Sequence, residues 1–144
     1  MKINNDILLK TSKEIDVRFS EVDSMNIVWH GSYALYFEDA REAFGKEYGL
    51  SYLSYIENGY YAPLVELNFR YCKPLLYRQH ARVDITYRNV PSAKIIFDYE
   101  IRLPEDDSLI ATGSSTQVFL DKEFQLVWNN PPFYENWKKK YHLL

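Results

Sequence analysis

Asp23 stands in a short polar loop, Ser20 to Met25, and about seven residues later the chain reaches the start of its best helix. A carboxylate can act as a general base toward water, worth roughly 10²–10⁴-fold in rate. It can also attack a carbonyl carbon itself and form an anhydride. The free backbone N–H groups of a helix start carry partial positive charge and suit an anion developing on a carbonyl oxygen. A carboxylate and such donors are the parts needed to hydrolyse an activated acyl group. The residue types alone leave a plainer reading open, in which Asp23 accepts a hydrogen bond from nearby backbone and closes an Asx turn.

The other reactive residue types form no second constellation. His30, at the helix start, could orient water, contact a substrate or be structural. His80 and His142 have no partners at metal or triad spacing, and there is no His-x-x-x-His or Cys-x-x-Cys pair. The lone cysteine, Cys72, lacks an evident base and is expected to be buried and inert. Gly113-Ser114-Ser115 lacks the Gly-x-Ser-x-Gly spacing of a nucleophile elbow and lies in a strand pattern. No metal and no cofactor is expected. Glu38 and Arg41 fall at i,i+3 and are expected to pair on the helix surface.

The elements that must hold Asp23 and the helix start are legible from hydrophobic period. Ile15, Val17 and Phe19 alternate with charged residues and predict a strand over 13–19. Asn26 suits a left-handed turn position. Tyr33, Tyr36, Phe37, Ala40 and Phe44 form one stripe at helical spacing, so a helix is predicted over 33–48. Ser32 or Gly31 would cap its start and Gly49 its end. A short helix is predicted over 51–58. Strands follow over 64–71, 81–90, 94–103 and 109–120, separated by turns such as Pro91-Ser92-Ala93. Pro131-Pro132 opens a terminal segment, 133–144, that reads as helical and basic at Lys138 to Lys140. One long helix followed by a run of strands argues an α+β domain with an antiparallel sheet. There is no repeat and no linker, so a single domain over 1–144 is the simplest organisation.

Composition bounds the function classes. The chain has 144 residues, 47% hydrophobic and 26% charged, as in ordinary globular proteins. A formal net charge of −3 argues against a protein held to nucleic acid by phosphate neutralisation. The apolar group Ile7-Leu8-Leu9 is too short for a signal-peptide core. No apolar run approaches the roughly 18 residues of a membrane span. One cysteine permits no intrachain disulfide, and a cytoplasmic protein with no membrane partner is expected.

The run Asp23-x-x-x-Ile27-Val28-Trp29-His30-Gly31-x-Tyr33, then Tyr36-Phe37-Glu38-x-Ala40-Arg41, resembles hotdog-fold acyl-CoA thioesterases of the 4-hydroxybenzoyl-CoA thioesterase type. The resemblance continues through Tyr71-x-Lys73-Pro74 and Lys94-Ile95-Ile96-Phe97, and spans roughly residues 14–121. Asn26 departs from it, standing where the family commonly has glycine. The resemblance implies an antiparallel sheet wrapped around one long helix, and an acyl-CoA substrate. It implies a homo-oligomer, a dimer or tetramer, with active sites between subunits. It gives Asp23 the role of base or nucleophile and the His30 N–H that of oxyanion donor. Of the many aromatics, most are expected to pack in the core or between subunits, and a few such as Tyr33 and Trp29 could line an acyl pocket. Ser92 and Lys94 match family positions that contact the nucleotide arm of coenzyme A, and Arg88 and Lys73 could add to that patch; for each, a solvated surface role is an equal alternative. Two rival readings keep the fold: a hydrolase of acyl-carrier-protein thioesters, and a non-catalytic acyl-CoA-binding module. The His-Phe-Pro-Gly run of one dehydratase branch is absent.

Overall fold

Alternating apolar residues put Ala81, Val83, Ile85 and Tyr87 on one face of a strand, and Ile95, Phe97, Tyr99 and Ile101 on one face of the next; all eight are buried. In the computed structural model, which describes residues 8–144, these strands are the centre of one antiparallel sheet. The elements in chain order are β1 (Lys10–Asp16), α1 (Tyr33–Tyr48), α2 (Tyr52–Glu57), β2 (Leu64–Tyr71), β3 (His80–Arg88), β4 (Lys94–Arg102), β5 (Leu109–Val118) and α3 (Pro132–Lys140). The sheet order is β1-β3-β4-β5-β2. Every neighbouring pair is antiparallel, which gives the α+β hotdog architecture of a sheet around one long helix.

The stripe of α1 is what the sheet wraps. Tyr33, Tyr36, Phe37, Ala40 and Phe44 are all buried. Phe37 stacks on Tyr99 with ring centroids 4.0 Å apart, and on Phe69 at 5.1 Å. Phe44 meets Phe97 at 4.8 Å. Each such ring contributes roughly 1.5–3 kcal/mol by leaving water. Gly113 of β5 makes room for this contact. A Cβ there would lie 2.4 Å from the Asn68 carbonyl oxygen and 2.5 Å from the Phe37 ring. Gly49 ends α1 in the left-handed conformation, φ 77°, donating to the Gly45 carbonyl at 2.8 Å.

Four local expectations are corrected. The first strand ends at Asp16, and Phe19 lies outside it, 75% exposed with its edge against Tyr77. The backbone there turns on itself: Arg18 N–H donates to the Glu21 carboxylate (2.8 Å) and Glu21 N–H to the Arg18 carbonyl (3.0 Å). Cys72 is exposed, because it follows an edge strand and points away from the core. Lys138 is fully buried rather than part of a basic surface; its Nζ donates to the Val90 carbonyl at 2.7 Å. Its neighbours Tyr134 and Trp137 carry α3 into the core against Phe119 and Tyr87. Arg41 does not pair with Glu38 but donates to the Tyr99 hydroxyl at 3.0 Å. No helix among the described residues is long and apolar enough to cross a membrane.

Candidate active site

The loop carrying Asp23 is a small hairpin. Val22 and Val28 face each other across an isolated bridge, and Ile27 bridges to Leu76. Asp23 N–H donates to the Ile27 carbonyl (2.9 Å) and Asn26 N–H to the Asp23 carbonyl (3.0 Å). Asn26 sits at φ 63°, the left-handed position expected of it. Val28 is buried, and its N–H donates to the Leu75 carbonyl at 2.8 Å, pinning the hairpin to the chain before β3. Asp23 lies half-buried at the tip. Its Oδ1 accepts from Met25 N–H at 2.8 Å, so the Asx turn forms. Among the described residues the carboxylate makes no other hydrogen bond and no ion pair. The turn uses one oxygen and leaves the other unengaged, so the plain reading and the chemical one coexist.

The helix start differs from the expected cap. A 3-10 turn, His30–Ser32, leads into α1, and its cap is Trp29 in an extended conformation. Ser32 Oγ caps no N–H; it donates to the Glu21 carbonyl at 3.2 Å. The first free N–H groups therefore fall at His30 rather than after Ser32, and the His30 N–H has no acceptor among the described residues. Trp29 packs across Gly31, where a Cβ would lie 2.0 Å from its ring. The His30 imidazole lies beside the Trp29 ring at 4.8 Å and hydrogen-bonds nothing among the described residues, Asp23 included.

Residues that sequence reading passed over hold this end together. Glu21 is the principal one. Its carboxylate accepts from Arg18 N–H (2.8 Å) and from the Tyr36 hydroxyl (3.0 Å). Its carbonyl accepts from Trp29 N–H at 2.8 Å, locking the loop to the helix start. The only local signal was its place three residues after Arg18, the spacing of a capping box. Tyr71, at the end of β2, donates to the His30 carbonyl at 3.2 Å and packs on Tyr33 at 5.1 Å. Burial, with the Tyr71 hydroxyl nearby, pushes the Tyr33 phenol up to about 12. Burial first, then the Glu21 carboxylate, pushes Tyr36 still higher. Both remain neutral hydroxyls at ordinary pH.

The remaining candidates lie elsewhere. Asp23, His30, Tyr33 and Tyr71 gather where β2 ends and β3 begins. Ser92 and Lys94 lie at the opposite end, where β4 starts, and Arg88 closes β3 there. The ends of β4 are about 26 Å apart at ~3.3 Å per residue. Ser92 and Lys94 are exposed, and Lys94 makes no ion pair among the described residues. Arg88 forms a two-pronged ion pair with Asp98, which holds its guanidinium pKa above the usual range. One chain thus does not bring its two groups of candidates together.

An antiparallel sheet around one long helix is the architecture of a hotdog fold. The comparisons agree: residues 17–137 match the thioesterase-like superfamily, and the chain belongs to that family of thioester-hydrolysing enzymes. YneP of Bacillus subtilis (strain 168), provisionally named as an acyl-CoA thioesterase, is 34% identical over 113 residues, 78% of this chain and 81% of its own. A DHNA-CoA thioesterase from Staphylococcus aureus superposes with a TM-score of 0.82 at 27% identity, covering 92% of this chain and 88% of that one. A 4-hydroxybenzoyl-CoA thioesterase shares the fold alone, with a TM-score of 0.76 at 15% identity, covering 90% and 98%.

Proposed function

We propose that the chain hydrolyses acyl-CoA thioesters to a carboxylic acid and coenzyme A, with Asp23 as base or nucleophile and the His30 N–H as oxyanion donor. The observation that carries the assignment is the pairing of a carboxylate with an unengaged oxygen and a helix-start N–H with no acceptor, both held by the Glu21 clasp. Water, or Asp23 itself, adds to the thioester carbonyl, the oxygen takes the charge, and the C–S bond breaks to release the thiol. If Asp23 adds first, water then cleaves the anhydride. The steps are redox-neutral and use water, the substrate and these two groups, so no resident cofactor is invoked.

The chain acts as a cytoplasmic homo-oligomer in this reading. The separation of Asp23 from Ser92, Lys94 and Arg88 supports an oligomer, since pairing of two chains can bring one chain's Asp23 nearer its partner's Lys94 than the length of β4 allows within one chain. β2 supports it too: it is an edge strand, with Val65 59% and Tyr71 50% exposed. An unpaired apolar edge of this kind favours further pairing. The deciding experiment is a thiol-release screen across short, long and aromatic acyl-CoAs, with matched acyl-carrier-protein thioesters alongside. At least one acyl-CoA should be turned over faster than its carrier-protein counterpart. No release from any acyl-CoA would overturn the proposal; faster release from carrier-protein thioesters would move the substrate class.

A further inference from the structure

Lys138 is a fully buried cation that the proposed chemistry leaves unused. It makes no ion pair among the described residues. Its ammonium lies over the Tyr134 ring, 4.9 Å from the centroid, and donates to the Val90 carbonyl at 2.7 Å. Burial pulls its pKa below the ordinary lysine value. Enclosing an ammonium without a counter-ion is unfavourable, and what it secures here is the turn between β3 and β4. Val90 lies just past the last pair of that ladder, Arg88 with Ile96. Among the described residues the turn closes one backbone hydrogen bond of its own, Lys94 N–H to the Ser92 carbonyl at 2.8 Å. Its other ties come from the C-terminal segment. The Tyr134 hydroxyl accepts from Tyr87 and donates to the Lys94 carbonyl at 2.7 Å. Asn89 Nδ2 donates to the Leu143 carbonyl at 2.7 Å. Trp137 anchors the segment in turn, its Nε1 donating to the Tyr48 carbonyl at the end of α1 (2.8 Å). The inner side of the turn is thus fixed, while Ser92 and Lys94 stand exposed on its outer side. Phosphates take charge-assisted hydrogen bonds from such cations and hydroxyls.

We propose that Lys138, with Tyr134, is a positioning residue: α3 holds the β3–β4 turn so that Ser92 and Lys94 meet the phosphate-bearing arm of an acyl-CoA. The role rests on the reading of the chain as an acyl-CoA hydrolase, and adds to it what sets the affinity for that arm. Lys138 touches no substrate, since its side chain is wholly enclosed. A turn with one hydrogen bond of its own would otherwise sample several conformations, and binding the arm would have to order it.

The test compares a coenzyme A thioester with the N-acetylcysteamine thioester of the same acid, which keeps the reacting end and lacks the phosphates. Lys138→Met keeps the length and apolar stem of the side chain and removes its donor. Tyr134→Phe removes the second tie and keeps the ring. Each should raise KM for the coenzyme A thioester about tenfold with kcat unchanged, as for one misplaced charge-assisted contact. Neither should alter KM or kcat for the N-acetylcysteamine thioester. In a chain already carrying Ser92→Ala and Lys94→Ala, adding Lys138→Met should raise KM no further. Equal losses on both thioesters overturn the proposal and leave Lys138 a residue of stability alone. An unchanged KM in both single variants overturns it, as does a further rise in the Ser92→Ala, Lys94→Ala chain. A wild-type chain that releases no thiol from any acyl-CoA removes the function and this role together; a working wild type with any of the other failures removes this role alone.

Discussion

Asp23 can be tested by an almost isosteric change because its structural task and its proposed chemical task use different properties. The turn needs only an acceptor for Met25 N–H, which the amide oxygen of Asn supplies. The chemistry needs a negative charge. Asp23→Asn should therefore lower thiol release by at least about 10²-fold with no change in melting temperature. His30→Ala should retain most of kcat, because the proposed donor at that position is the peptide N–H. Equal losses in both variants would move the chemistry onto the imidazole. The turn geometry of Asp23 and Asn26 was legible in sequence because their backbone partners lie within four residues. Glu21 and Arg41 were not, because the partners that explain them, Tyr36 and Tyr99, are 15 and 58 residues away. Local spacing suggested a surface pair for Arg41, and a hydroxyl from β4 won it instead.

The sheet and α1 were readable because burial on one face imposes a period that the residues must display. The boundaries were less so. At Phe19 the alternation continues while the backbone has already turned to bond within residues 18–22. The start of α1 falls at Tyr33 as expected, but its cap differs: a 3-10 turn supplies the N-terminal donors and leaves Ser32 bonded to Glu21. Two tyrosines of this helix also set a limit on stability. Tyr33 is held up to about 12, and Tyr36 higher, against an ordinary value of 10.0. A pKa raised in the folded state means that the unfolded chain gives up the proton first, so stability is intact below pH 10 and falls as pH rises through about 12. The urea midpoint should hold steady to about pH 10 and decline as pH rises from there through about 12. Tyrosinate absorbance from buried rings should grow together with the loss of near-ultraviolet circular dichroism, and Tyr33→Phe should flatten the decline. Full ionisation of the tyrosines in a chain that stays folded would show that α1 is less protected than its packing indicates.

At the scale of the whole molecule, the sheet keeps the proposed reaction centre and the proposed nucleotide contacts at opposite ends of one chain. If a single acyl-CoA uses both, each site takes Asp23 from one protomer and Lys94 from its partner. Symmetric pairing makes this arrangement testable without a structure of the assembly. Asp23→Asn removes the reactive charge, and Lys94→Glu turns a cation at the coenzyme arm into a repelling anion. Each homo-oligomer should be weak at low acyl-CoA concentration. Refolded together, mixed pairs contain one site with both native residues and one with neither. Random mixing makes about half of the pairs mixed, so about a quarter of wild-type activity should return. A site contained within one chain restores nothing under the same treatment, since every chain carries one of the two substitutions.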